Sequence, residues 1–69
     1  MTTYFTFETL NRYHSVKAED LKEATRLAIA SVLSRLVKED PFMTGETFEK
    51  LQTGLEIEFA SAKINELNV

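Results

Sequence analysis

Leu55-Glu56-Ile57-Glu58-Phe59-Ala60-Ser61-Ala62-Lys63-Ile64-Asn65-Glu66-Leu67 is the stretch whose reading decides the fold. Read with a helical period, it continues a helix that begins near Glu46. Phe48, Leu51, Leu55, Phe59 and Ala62 then form one apolar stripe, and Ile57, Ala60, Ile64 and Leu67 form a second, displaced by more than a quarter turn. Read with a period of two, Leu55–Phe59 alternates apolar and charged residues, as a strand with one buried face does, and a short helix ends at Gly54. Gly54 costs a helix interior about 1 kcal/mol relative to alanine. Against the strand, residues 60–67 are poor in β-branched and aromatic side chains, a composition that favours one long helix over residues 46–67.

Upstream lies Asp40-Pro41-Phe42-Met43-Thr44-Gly45, the only linker with proline or glycine, and its length suits a turn between antiparallel helices. Thr44 is placed to cap the second helix. Phe42 and Met43 are expected to fold back over the end of the helical hairpin, since two large apolar residues in a free loop are unusual.

The preceding segment, Asp20 to about Glu39, has the clearest helical pattern in the chain. Asp20 and Glu23 have the spacing of a capping box, and they place negative charge at the positive end of the helix dipole. Leu21, Ala24, Thr25, Ala28, Ile29, Val32 and Leu36 recur along one face. Pro41 disfavours helical geometry at Asp40 and so ends the helix. Leu27, Ala30, Leu33 and Val37 fall outside the main stripe. Apolar residues around most of a helix mark it as central or as part of a subunit interface.

At the N-terminus, Thr3–Thr9 and Tyr13–Ala18 are strand-like in composition. With Leu10-Asn11 as the turn, Phe5 pairs with Val16 and Phe7 with His14 on one face. Tyr4, Thr6, Glu8, Tyr13, Ser15 and Lys17 share the other. Leu-Asn is not a favoured hairpin turn, because leucine avoids positive φ. The rival reading is a short helix with Phe7, Leu10 and His14 on one side. Together these elements predict a mainly α fold: an antiparallel two-helix hairpin with a short N-terminal β-hairpin or extended segment, in one domain over residues 1–69. A compact ββαβ domain is the alternative.

A 69-residue chain supports only a marginal core, and small domains are usually reinforced by disulfides, a metal or a second subunit. The absence of cysteine removes disulfides and thiolate metal sites, and a single histidine, His14, removes a multi-histidine cluster. No cofactor or metal is expected, and a homodimer is. No apolar run approaches the ~18 residues of a membrane span, and the N-terminus lacks the basic start and apolar core of a secretory signal. The cytoplasm is the expected compartment.

The net charge of −3 is unevenly spread. Residues 1–38 carry six basic and four acidic side chains, whereas residues 39–69 carry two basic and seven acidic ones. The two halves either complement one another internally or present an acidic surface to a basic partner. Without a basic cluster, direct nucleic-acid binding is not expected. Tyr4, Phe5, Phe7 and Tyr13 are better read as packing and cross-strand residues than as a base-stacking platform.

Catalysis has little to rest on. His14 needs a nucleophile or an orienting carboxylate within reach, and its neighbour Ser15 would point to the opposite face of a strand. The carboxylate groups Glu19/Asp20/Glu23, Glu39/Asp40 and Glu56/Glu58 read as caps and solvated faces, and neither EF-hand spacing nor a glycine-rich phosphate loop is present. The chain is therefore expected not to be an enzyme. The functional expectation is a non-catalytic protein-binding module. It would be an acidic adaptor or inhibitor docking Glu49, Glu56, Glu58 and Glu66 on a larger, basic, nucleic-acid-handling protein, by analogy of size and charge with proteins of phages and mobile elements. The alternative is a structural or assembly subunit that dimerises through helix faces. Leu27, Leu33, Val37, Ile57, Ile64 and Leu67 are the candidate interface residues in either case.

Overall fold

Residues 2–68 are described by a computed structural model of the chain. Two strands, β1 (Thr3–Glu8) and β2 (Tyr13–Ala18), are followed by two helices, α1 (Leu21–Glu39) and α2 (Gly45–Ala60), and a last strand, β3 (Lys63–Asn68). The strands form one antiparallel sheet in the order β2-β1-β3. The architecture is α+β, with ββααβ connectivity.

The N-terminal hairpin has the register that alternation predicts, Phe5 opposite Val16 and Phe7 opposite His14. Its unfavourable-looking turn is solved by a side chain. The Thr9 N–H donates to the Arg12 carbonyl at 2.9 Å, while the Thr9 hydroxyl accepts from the amides of Asn11 (3.2 Å) and Arg12 (3.0 Å). No non-glycine residue among those described has a positive φ, so Leu10 stays in ordinary conformational space.

The helices cover one face of the sheet. Phe5, Phe7 and Ala18 from the strands meet Ala24, Ala28 and Val32 of α1 and Leu55 and Phe59 of α2 in the core. Alanines at 18, 24 and 28 are small enough for α1 to approach the sheet closely. Phe7 and Phe59, both essentially inaccessible to solvent, meet edge to face at 5.3 Å and 88°, the arrangement their ring quadrupoles favour. Asp20 caps α1 by accepting from the Glu23 amide at 2.8 Å, and Thr44 caps α2 by accepting from the Thr47 amide at 3.2 Å. Asp40 is the C-cap of α1.

Four expectations are corrected. The mainly α fold is replaced by a three-stranded sheet with two helices, closer to the ββαβ alternative. The long helix over 46–67 ends at Ala60, and residues 63–68 form β3 instead. The rival strand at Leu55–Phe59 is helical. Leu55 and Phe59 are four residues apart, so they share an inward face in either reading; only Ile57 distinguishes the two, and it is 65% exposed. Strand β3 forms because a two-stranded hairpin is marginal alone, and the free edge of β1 accepts a third strand. Phe42, finally, does not fold back over the helical hairpin; it is 92% exposed.

The molecule is elongated, 39 × 21 × 17 Å. No residue of α1 beyond Leu33 is buried, and none of α2 before Leu55. The half of the helical hairpin next to the sheet therefore carries the core, and the far half, with Val37, Phe42 and Phe48, extends past it.

Candidate functional site: the groove between the helices

Helix α1 has two apolar faces. Ala24, Ala28 and Val32 point into the core. A second row, Arg26, Ile29, Leu33 and Val37, lines an open groove of about 640 Å³ shared with Phe48, Gln52 and Glu56 of α2. Spacings of three and four residues on α1, and of four on α2, keep each row on one side of its helix. Ile29 and Leu33 form the floor next to the core; Val37 (39% exposed) and Phe48 flank the far end. Because the helices are antiparallel, the start of α1 lies beside the end of α2. Lys22 and Arg26 thus form a basic rim at the sheet end of the groove, across from Glu56. Among the described residues the ion pairs are Arg12–Glu58 and Lys50–Glu46, so none of these three rim charges has an ion-pair partner.

The acidic candidates do not form one surface. Glu58 is engaged within the chain: its Oε2 accepts from Arg12 Nε at 2.6 Å and from the Thr9 hydroxyl at 3.2 Å. Glu49 and Glu56 are exposed on α2, and Glu66 is exposed on β3. The apolar candidates also separate. Leu33 is buried in the core and at the groove floor, Leu27 and Ile64 pack against the core, and Val37 is in the groove. Ile57 is exposed on α2, while Leu67 lies opposite Tyr4 on the other side of the sheet from Ile64, which pairs with Phe7. The stripe Ile57/Ala60/Ile64/Leu67 required a helix through residue 67 and does not exist. Lys22, Arg26, Ile29 and Phe48 were not among the sequence-derived site residues. The excess of apolar residues on α1, which marks it as central or interfacial, was the usable signal for Ile29; no signal in the sequence singled out Lys22, Arg26 or Phe48.

His14 packs beside the core. Its ring meets that of Phe59 in a T-shaped contact with centroids 6.5 Å apart, and its pKa is held below the usual 6.5 by burial first, then by the positive charges of Arg35 and Arg12. Ser15 pairs with Thr6 on the uncovered face of the sheet, away from it. Phe5 and Phe7 are core residues, whereas Tyr4 and Tyr13 lie on that uncovered face, where Lys17 Nζ sits 5.6 Å from the Tyr4 ring centre. Among the described residues no cluster of three histidine or acidic side chains is placed to hold a metal ion, and no helix is long and apolar enough to cross a membrane.

The chain matches no family model, and no curated protein or solved structure is found to be similar to it.

Proposed function

We propose that the chain is a non-catalytic assembly module that works by associating with a second copy of itself. The observation that carries this reading is the open apolar groove between α1 and α2, with Ile29, Leu33, Val37 and Phe48 along it. Ile29 and Leu33 are already buried at its floor, while Val37 and Phe48 stay partly exposed along it, and a chain of this length gains from a second subunit the buried apolar area it lacks alone. Sedimentation equilibrium of the purified protein tests it. The expected mass is about twice 7.9 kDa at micromolar concentrations, and a constant 7.9 kDa into the high micromolar range contradicts it.

A second reading, the acidic adaptor or inhibitor of a larger basic protein, is supported by the exposure of Glu49, Glu56 and Glu66. Such an adaptor has no need of a second copy and would sediment as a monomer, with binding to its target that weakens steeply as salt is raised.

A further inference from the structure

The charges around the groove also specify how a second copy would sit. Resting on the self-association reading, we propose that two copies dock groove to groove about a two-fold axis running along the groove. Lys22 and Arg26 of each copy then face Glu56 of the other, and Val37 of each packs on Phe48 of the other.

In a two-fold dimer the same patch is used twice, so it must be complementary to itself. This groove has its basic rim on α1 and its acidic rim on α2, both at the sheet end, while Val37 on α1 and Phe48 on α2 flank the far end. A two-fold axis along the groove exchanges the two rims and preserves position along them. Cation then opposes anion at the sheet end, and apolar side chain opposes apolar side chain at the far end. An axis across the groove instead turns it end for end, which places Lys22 and Arg26 over the other copy's Val37 and leaves Glu56 opposite Phe48. The charge layout therefore selects the first axis.

The same operation lays each α1 against the α2 of the other copy, running in opposite directions. Four helices then form a two-layer bundle in which adjacent neighbours are antiparallel and their dipoles oppose favourably. Lys22, Arg26 and Glu56, which have no ion-pair partner within the described residues, gain one across the interface.

Charge reversal tests the arrangement. Arg26→Glu alone sets the new carboxylate at position 26 against Glu56 twice per dimer, and Glu56→Arg alone sets two guanidinium groups together twice; each is expected to weaken association by about tenfold or more. Mixed in equal amounts, the two variants restore both contacts. A heterodimer is expected by native mass spectrometry, with affinity within about threefold of the wild type. The doubly reversed Arg26→Glu/Glu56→Arg chain is expected to dimerise again. Circular dichroism of each single variant confirms that it is folded before mixing, and Lys22→Glu serves in place of Arg26→Glu should that chain fail to fold. A wild-type dimer that is indifferent to these reversals, or folded variants that do not pair on mixing, overturns this docking while leaving self-association intact. A wild type that is monomeric throughout overturns self-association itself.

Discussion

Arg12, in the turn between the first two strands, reaches Glu58 near the end of α2 with Nε 2.6 Å from Oε2, joining positions 46 residues apart. Thr9 shares the same carboxylate oxygen through its hydroxyl, so the turn and the helix end form one polar clip beside the Phe7–Phe59 contact. Both charged side chains are less than a third exposed, and they are joined by a charge-assisted hydrogen bond rather than by mere proximity.

The clip should therefore show coupling that exposed pairs lack. Arg12→Met and Glu58→Gln are each expected to cost about 1–2 kcal/mol, and the double variant about 1 kcal/mol less than their sum. Urea unfolding of the four proteins measures this. Strict additivity would mean that the pair is no stronger than the exposed Lys50–Glu46 contact.

Gly54 lies inside α2 with nothing within 4 Å of where a Cβ would stand, and no described glycine has a positive φ. Gly54→Ala is expected to stabilise the protein by about 0.5–1 kcal/mol. A rise in Tm of a few degrees is the readout, and a fall would show that residue 54 is not helical.

Phe59 and Phe42 are both large aromatic residues of the second half of the chain, one almost wholly buried and one almost wholly exposed. Phe59→Ala is expected to cost about 3–5 kcal/mol, enough to unfold much of a domain this small. Phe42→Ser should change the stability of the single chain by no more than about 0.5 kcal/mol. Denaturation monitored by circular dichroism compares them directly.

His14 makes stability depend on pH. Its folded pKa lies below the usual 6.5, so under mild acid the unfolded chain takes up a proton that the folded chain resists. Its contribution is present above pH 6.5 and is lost as the pH falls from there through the folded value. Urea midpoints between about pH 7.5 and 5.5 should fall for the wild type and stay flatter for His14→Gln. Parallel curves would remove His14 as the cause.

The elements legible in the sequence were those that announce themselves locally. Asp20 and Glu23 mark the start of α1, Pro41 lies just past its end, and the alternation of Phe5, Phe7, His14 and Val16 sets the hairpin register. Strand β3 was not legible, because nothing in Lys63-Ile64-Asn65-Glu66-Leu67-Asn68 favours extended backbone over helix except Ile64. It becomes a strand by pairing with β1, an interaction that local propensity does not contain. No glycine or proline marks the break. Helix α2 ends with Ser61 donating to the carbonyls of Ile57 (3.3 Å) and Glu58 (3.2 Å) and Ala62 donating to Phe59 (3.2 Å), a tightening of the last turn rather than a sequence signal.

The groove was half legible. Leu33 and Val37, outside the main stripe of α1, pointed to a second apolar surface. What that surface faces depends on where α2 lies and where it stops. Carrying the helix on to Leu67 shifted the expected interface from Phe48, Gln52 and Glu56 to residues that the fold separates onto α2 and the two faces of β3.

Isotope-filtered nuclear Overhauser spectroscopy on a mixture of labelled and unlabelled chains tests self-association through the groove most directly. Contacts between the Val37 methyls of one chain and the Phe48 ring of another are the predicted result. Intermolecular contacts confined to the uncovered sheet face around Tyr13 and Leu67, or none at all at millimolar concentration, would contradict it.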